Sequence, residues 1–386
     1  MAGVPPNDAL LAGRGGGGRD SVIEEFDGLR LVCDPDDTQR PDMVQGVTSA
    51  ARTLAGLLVR RPVRTALDLG TGCGLLALTM ARHAERVVAT DVNPRALEFG
   101  RRSARLSAIA NVEWREGDWY APVRGERFEL IACNPPYVIS PETRLLFRDG
   151  SEATAGVVRA AAQHLAAGGL AEFLINWVHE PEDWVAPLRD WIPSGCDALV
   201  VHHATLRPRQ YAETWVPPGP DHDARVERWL EWYREGDIEA IGAAFLLLRR
   251  REDDGPGRLQ ALEAAARSTP RAGLHVERLL RGTDLASRGE EALRAAVLAV
   301  VDGVRVEHTT HRRAGEWQPR PATLRVVPTV GVQAVVPGHL LPLLWGLDGT
   351  RKLGDVLADL PSEKRAEGLA LAGRLVELGF AEPAAG

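Results

Sequence analysis

A chain of 386 residues with 45% hydrophobic and 26% charged residues has the composition of an ordinary soluble protein, long enough for a large core and for two domains. No apolar run reaches the roughly 20 residues that a membrane-spanning helix requires, and a formal charge of −7 gives no global attraction to nucleic acid or to an anionic surface. Cys33, Cys73, Cys133 and Cys196 lie far apart without CxxC spacing, so they read as reduced core residues of a cytoplasmic protein and not as a disulfide framework or metal site.

The first 20 residues, MAGVPPNDALLAGRGGGGRD, lack the charged opening and unbroken apolar core of a signal peptide and read as a flexible tail. Residues 21–62 form a segment ahead of the first clear strand. From Val63 apolar strand-like runs alternate with amphipathic helical stretches, the pattern of a parallel sheet covered on both faces. The predicted strands are 64–70, 86–91, 111–118, 128–134, 169–178, 198–206 and 241–250. The expected fold is therefore α/β, with a seven-stranded Rossmann-like sheet over residues 63–251. Between the last two strands, RVERWLEWYREG predicts an aromatic helix lying over the sheet. REDDGPGR then reads as a linker. A C-terminal accessory domain follows over 256–386, whose closing stretch predicts two or three short helices and a final strand, a winged-helix-like or small helical module.

The chemistry concentrates where strands end. In ALDLGTGCGLLAL a buried strand holding Asp68 runs into Gly70, Gly72 and Gly74 and then a helix, so a ligand can approach backbone N–H groups with no Cβ in the way. The second strand ends in Asp91, where a carboxylate can accept both hydroxyls of a ribose. Asp118 ends the third, placed to accept from an adenine amino group, with Trp119 beside it for stacking. The fourth ends in LIACNPPYV: Pro135 and Pro136 cannot continue a ladder, so the strand stops at Asn134. Its side-chain oxygen and the Pro135 carbonyl then offer acceptors to an NH2 group, and Tyr137 offers a flat face. Each piece has a plain structural alternative: helix packing for the glycines, an N-cap for Asp91, a turn for Asp118, a rigid loop for NPPY. All four at the carboxyl ends of consecutive strands, where open α/β sheets bind ligands, argue for one site.

On DLGTGCG, TDVNPRAL, EGDWY and NPPYV the sequence resembles class I S-adenosylmethionine-dependent methyltransferases, and within them the glutamine N5-methyltransferase group related to release-factor methylation. The resemblance covers about residues 30–250. It implies S-adenosylmethionine as cofactor, with Gly70 and Gly72 at the methionine end, Asp91 at the ribose, Asp118 at the adenine, and Asn134, Pro135 and Tyr137 around the substrate nitrogen. CDPDDTQRPD is similar to the stretch in which an Asp-Thr pair closes over the cofactor, which makes Asp37 and Thr38 candidates and residues 21–62 a cofactor-covering segment. No metal is implied. The acceptor reading placed first is a glutamine side chain of a protein; an exocyclic amine of a nucleic acid and a small-molecule amine are the alternatives. His202 and His203 read as strand residues, and Arg148 as either an anion contact or a solvated loop residue.

Overall fold

An Asp-Gly pair turns the chain back on itself almost at once. The computed structural model describes residues 21–384 apart from 37, 39, 143–149, 254 and 256. Strands β1 (Val22–Phe26) and β2 (Leu29–Cys33) pair antiparallel, with Asp27 (φ +48°) and Gly28 (φ +76°) both left-handed, as a two-residue hairpin turn requires. Helix α1 (Ser49–Leu57) follows. A run of strands and helices then builds the main sheet: β3 (Val63–Leu69), α2 (Leu75–Met80), β4 (Ala84–Asp91), α3 (Pro94–Leu106), β5 (Val112–Glu116), β6 (Phe128–Cys133), α4 (Gly150–His164), β7 (Leu165–His179), α5 (Ala186–Arg189) and β8 (Cys196–Leu206). Helices α6 (Pro208–Trp215) and α7 (His222–Glu235) precede β9 (Ala240–Arg250) and β10 (Leu259–Glu263).

The sheet has eight strands in the order β10-β8-β9-β7-β6-β3-β4-β5. β9 runs antiparallel to β7 and β8, and the other pairings are parallel. All seven expected strands form, with ends shifted by a few residues, and β10 adds an eighth beside β8. Central strands such as β3 and β6 are buried along most of their length, which is why they read as continuous apolar runs with no alternation. One core, including Phe128, Phe173, Trp177 and Leu246, lies against the sheet; a smaller one gathers Ile139, Tyr211, Val226, Trp229 and Tyr233 under α6 and α7. The β1–β2 hairpin docks on α3, where the Val32 N–H donates to Ser103 Oγ at 2.8 Å. All four cysteines are free and buried.

The chain divides into two compact units, the first ending at Glu263 and the second comprising Ala264–Gly386 together with Gly56–Val59. β10 thus belongs to the first unit, past the linker expected at 251–258. The second unit holds α8 (Gly273–Ala286), α9 (Glu290–Ala295), β11 (Val297–Val300), β12 (Arg305–Glu307), β13 (Thr310–Arg313), β14 (Glu316–Pro319), β15 (Ala322–Arg325) and β16 (Ala334–Val336). Its last part is α10 (Leu341–Gly346), β17 (Asp348–Lys352), α11 (Leu353–Ala358), α12 (Arg365–Glu377) and β18 (Ala381–Pro383). β17, β11 and β18 make one small sheet, β12, β15 and β16 another. Where two or three short helices and a final strand were expected at the end, α10, α11, the 13-residue α12 and β18 are present, with β17 between α10 and α11. No described helix is long and apolar enough to cross a membrane.

Candidate active site

Along the order β6-β3-β4-β5 the carboxyl ends are neighbours, so the loops that follow Cys133, Leu69, Asp91 and Glu116 stand side by side. In the loop after β3, Gly70 (φ +74°) and Gly72 (φ +54°) are left-handed, and the space a Cβ would occupy at each is open. A ligand can therefore come down onto this backbone. Gly74 differs. A Cβ there would stand 3.1 Å from the Trp114 ring and 3.4 Å from Gly100, so this glycine admits a neighbouring side chain.

Asp68 lies fully buried beneath the loop. Its Oδ2 accepts from Thr71 Oγ1 at 2.6 Å and from the Ala77 N–H at 2.8 Å, while Oδ1 has no hydrogen-bond partner. Burial pushes its carboxyl up to about 7, against the lowering effect of those two hydrogen bonds. Asp68 thus organises the loop from below. Asp91 holds the same loop from the side: Oδ2 accepts from the Gly72 N–H and Oδ1 from the Asn93 N–H, both at 2.9 Å. Burial raises its pKa, and the hydrogen bonds from Asn93 and Gly72 oppose the rise. The N-cap of α3 is Asn93, whose side chain accepts from the Arg95 N–H at 3.0 Å, so capping does not account for Asp91. An ionised carboxylate has about four acceptor positions, which leaves Asp91 capacity for two hydroxyls.

Beyond β5, Asp118 is exposed and Trp119 half-buried at φ +45°, a conformation that bulky residues rarely adopt. Both line a cavity of about 430 Å³ between this turn and α4. The Tyr120 ring stacks on His164 at 4.5 Å, and its hydroxyl donates to the Val157 carbonyl at 3.2 Å, fixing the turn to α4.

The segment ahead of α1 closes on the β4–α3 corner. Asp34, buried, accepts from Arg95 at 2.5 Å and from the Val44 N–H at 2.8 Å, and Asn93 Nδ2 donates to the Asp42 carbonyl at 3.0 Å. Thr38 sits half-buried within it, its N–H donating to the Pro35 carbonyl at 3.0 Å. Asp37 and Arg148 lie outside the described residues.

After β6 the NPPY stretch leaves the sheet as its prolines dictate. Asn134 Oδ1 is buried without a hydrogen-bond partner, Pro135 is buried, and the half-buried Tyr137 meets the Trp215 ring edge-on at 5.9 Å. The residues just beyond are held by groups that sequence reading did not single out. The Ile139 N–H donates to the Tyr211 hydroxyl at 3.1 Å, the Tyr233 hydroxyl donates to the Ile139 carbonyl at 2.7 Å, and Asn176 Nδ2 donates to Tyr211 at 2.6 Å. Glu142 accepts from Arg225 at 2.7 Å and from Trp229 Nε1 at 3.2 Å. The signals available were the INW stretch, which contains Asn176, and the aromatic density of α7.

His202 and His203 lie in β8, as expected. His202 stacks on Trp184 at 4.5 Å and pairs with Thr205 Oγ1 at 3.0 Å; His203 occupies a bulge and is lowered to about 4, first by burial and then by His202. Neither imidazole is a strong base. Among the described residues no group of three or more His, Cys, Asp or Glu could hold a metal ion.

Residues 44–183 match the family model of the methyltransferase small domain. Among curated relatives, the release factor glutamine methyltransferase of Xylella fastidiosa is 33% identical over 150 residues, covering 37% of this chain and 53% of the relative. That of Escherichia coli is 33% identical over 144 residues, covering 36% and 50%, and that of Cereibacter sphaeroides 38% over 126 residues, covering 28% and 45%. The chain spans about half the length of the curated relatives it matches. A solved methyltransferase from Pyrococcus furiosus aligns at a TM-score of 0.34 and 16% identity, over 57% of this chain and 89% of that one, a likeness too low to bear on function. Over its matched region the chain is similar to the methyltransferase small domain and to the release factor glutamine methyltransferases.

Proposed function

We propose that this protein methylates a planar amide nitrogen, the side chain of a glutamine in a protein, with S-adenosylmethionine as donor. One observation carries the acceptor reading: Asn134 Oδ1 is buried with no partner, at the motif where a substrate NH2 would stand. An unpaired carbonyl costs stability unless a ligand supplies its hydrogen bond. The likeness to release factor glutamine methyltransferases supports the same acceptor.

Gly70 and Gly72 are assigned to the methionine end of the cofactor, where the backbone is open, Asp91 to the ribose, and Asp118 and Trp119 to the adenine. Thr38 and Asp37 belong to the segment assigned to cover it. When bound, the cofactor supplies an activated methyl group on a sulfonium. Asn134 Oδ1 and the Pro135 carbonyl would accept hydrogen bonds from the amide NH2, which would orient its nitrogen and add electron density to it. The nitrogen would take up the methyl group that the cofactor supplies and give up its proton to water. No strong base is required, in keeping with the depressed histidines of β8.

The test is incubation with labelled S-adenosylmethionine and a purified bacterial release factor, beside protein, RNA, DNA and small-molecule fractions of a bacterial lysate. Label on a glutamine of the release factor supports the reading; label in RNA, DNA or small molecules alone overturns it.

A further inference from the structure

The residues between β8 and β9 do more than cover the sheet. Their buried polar anchors reach the chain just past NPPY. Tyr211, on α6, places its hydroxyl between the Ile139 N–H at 3.1 Å and Asn176 Nδ2 at 2.6 Å, so one side chain couples the motif's continuation to β7. Tyr233, on α7, donates to the carbonyl of the same Ile139 at 2.7 Å. Both backbone groups of Ile139 are thus satisfied by the two helices, and its side chain is a member of their core. Glu142, a few residues on, is fastened to α7 through Arg225 and Trp229. The position of Tyr137 therefore depends on α6 and α7 as much as on β6.

One residue of α6 on the same face as Tyr211 reaches solvent. Trp215 meets Tyr137 edge-on at 5.9 Å and Tyr211 at 6.1 Å, yet 36% of it stays exposed. A partly exposed indole thus stands edge-on against a candidate active-site aromatic. Hydrophobic side chains exposed singly are common, but this one touches Tyr137, three residues along the chain from Asn134, whose Oδ1 is buried without a partner.

We propose that α6 and α7 form the acceptor-side wall of the active site, with Tyr211 as a positioning residue for the NPPY loop and Trp215 as the aromatic face that receives the amide-bearing side chain. This rests on the amide-acceptor reading above and deepens it. Tyr211→Phe keeps the ring in its core and removes the hydroxyl that orders Ile139 and Asn176. Its effect should fall on kcat, about tenfold, with S-adenosylhomocysteine affinity by calorimetry unchanged. Trp215→Ala should raise KM for the acceptor about fivefold, the size of one lost aromatic contact, and Trp215→Phe should restore most of it.

Two measurements separate this inference from the reading beneath it. The first is steady-state methylation of a bacterial release factor by the wild type and these variants. The second needs no turnover: full-length protein labelled with 5-fluorotryptophan is saturated with S-adenosylhomocysteine and titrated with N-acetylglutamine methylamide, the Trp215 fluorine resonance being identified by its loss in Trp215→Phe. A shift of the Trp215 resonance that disappears in Asn134→Ala supports the wall. If that shift is seen while no release factor is methylated, the substrate reading falls and the wall stands. If the release factor is methylated but the Trp215 resonance is still and Trp215→Ala keeps its KM, the wall is wrong and the reading stands. A resonance that stays still with no turnover overturns both. A Tyr211→Phe enzyme with wild-type kcat removes Tyr211 from positioning.

Discussion

Replacing Asn134 by alanine should leave the protein as stable as before while removing its activity. A buried carbonyl with no partner costs about 1–3 kcal/mol, and Asn134→Ala relieves that cost at Oδ1. Against it stands the packing lost with the amide of a half-buried side chain, about 1 kcal/mol. The two nearly cancel, so unfolding free energy should change by no more than about 1 kcal/mol, a melting shift of about 2–4 °C in a unit of this size. Turnover should respond very differently. If Oδ1 orients the nucleophile mainly in the transition state, its loss should lower kcat about a hundredfold, in the range seen for single preorganised hydrogen-bonding groups, and leave cofactor affinity alone. Differential scanning fluorimetry without ligand and single-turnover transfer to the release factor together give both numbers. A variant that melts more than about 5 °C lower would show that Asn134 serves the fold, and one with wild-type kcat would reduce NPPY to a rigid loop.

Asp91→Ala should weaken S-adenosylmethionine binding at least about tenfold in calorimetry, and it should also lower the melting temperature, because the Gly72 and Asn93 N–H groups lose their acceptor; unchanged affinity would remove Asp91 from the site. Asp68, raised from 3.8 to about 7, binds a proton more tightly when folded, so its contribution to stability is full below about pH 4 and lost as pH rises through about 7. The melting temperature of Asp68→Asn relative to wild type, scanned from pH 5 to 8, should therefore climb with pH, and a flat or falling difference would contradict the burial argument. Cutting the chain after Glu263 preserves β10 on the edge of β8 but removes Ala264–Gly386 and leaves behind Gly56–Val59 of the same unit, whose Leu57, Leu58 and Val59 are buried. Soluble yield should fall well below that of the full chain, and a monomeric, cofactor-binding product of the cut would show that those residues find cover elsewhere.

The sheet was legible because its central strands are buried on both faces and announce themselves as apolar runs, and the site was legible because its parts are local: a glycine turn, a carboxylate at a strand end, a proline pair. What escaped the reading has other physics. β10, LQALE, alternates weakly and follows a Pro-Gly linker, so nothing local marks it as a strand; its partner β8 does. The β1–β2 hairpin carried the Asp-Gly signal in EFDGLR, but its strands are short and mixed. Gly74 looked like its neighbours Gly70 and Gly72 until Trp114, from another strand, occupied the space beside it. Tyr211 and Ile139 are 72 positions apart and Asp34 and Arg95 are 61, distances over which composition says nothing about contact.

The four buried thiols have a practical meaning for oxidation and labelling. Burial is the main cause that raises every one of them, Cys73 in the glycine loop to about 12, so none carries appreciable thiolate near neutral pH. Peroxide and alkylating reagents attack the thiolate, and here they find none within reach. The methyl transfer proposed for this protein should then be indifferent to the redox state around it. The same silence makes the native chain a clean background for site-directed probes: a cysteine introduced at an exposed position would react alone, so a dye or spin label could report on the catalytic face without any native thiol being removed first.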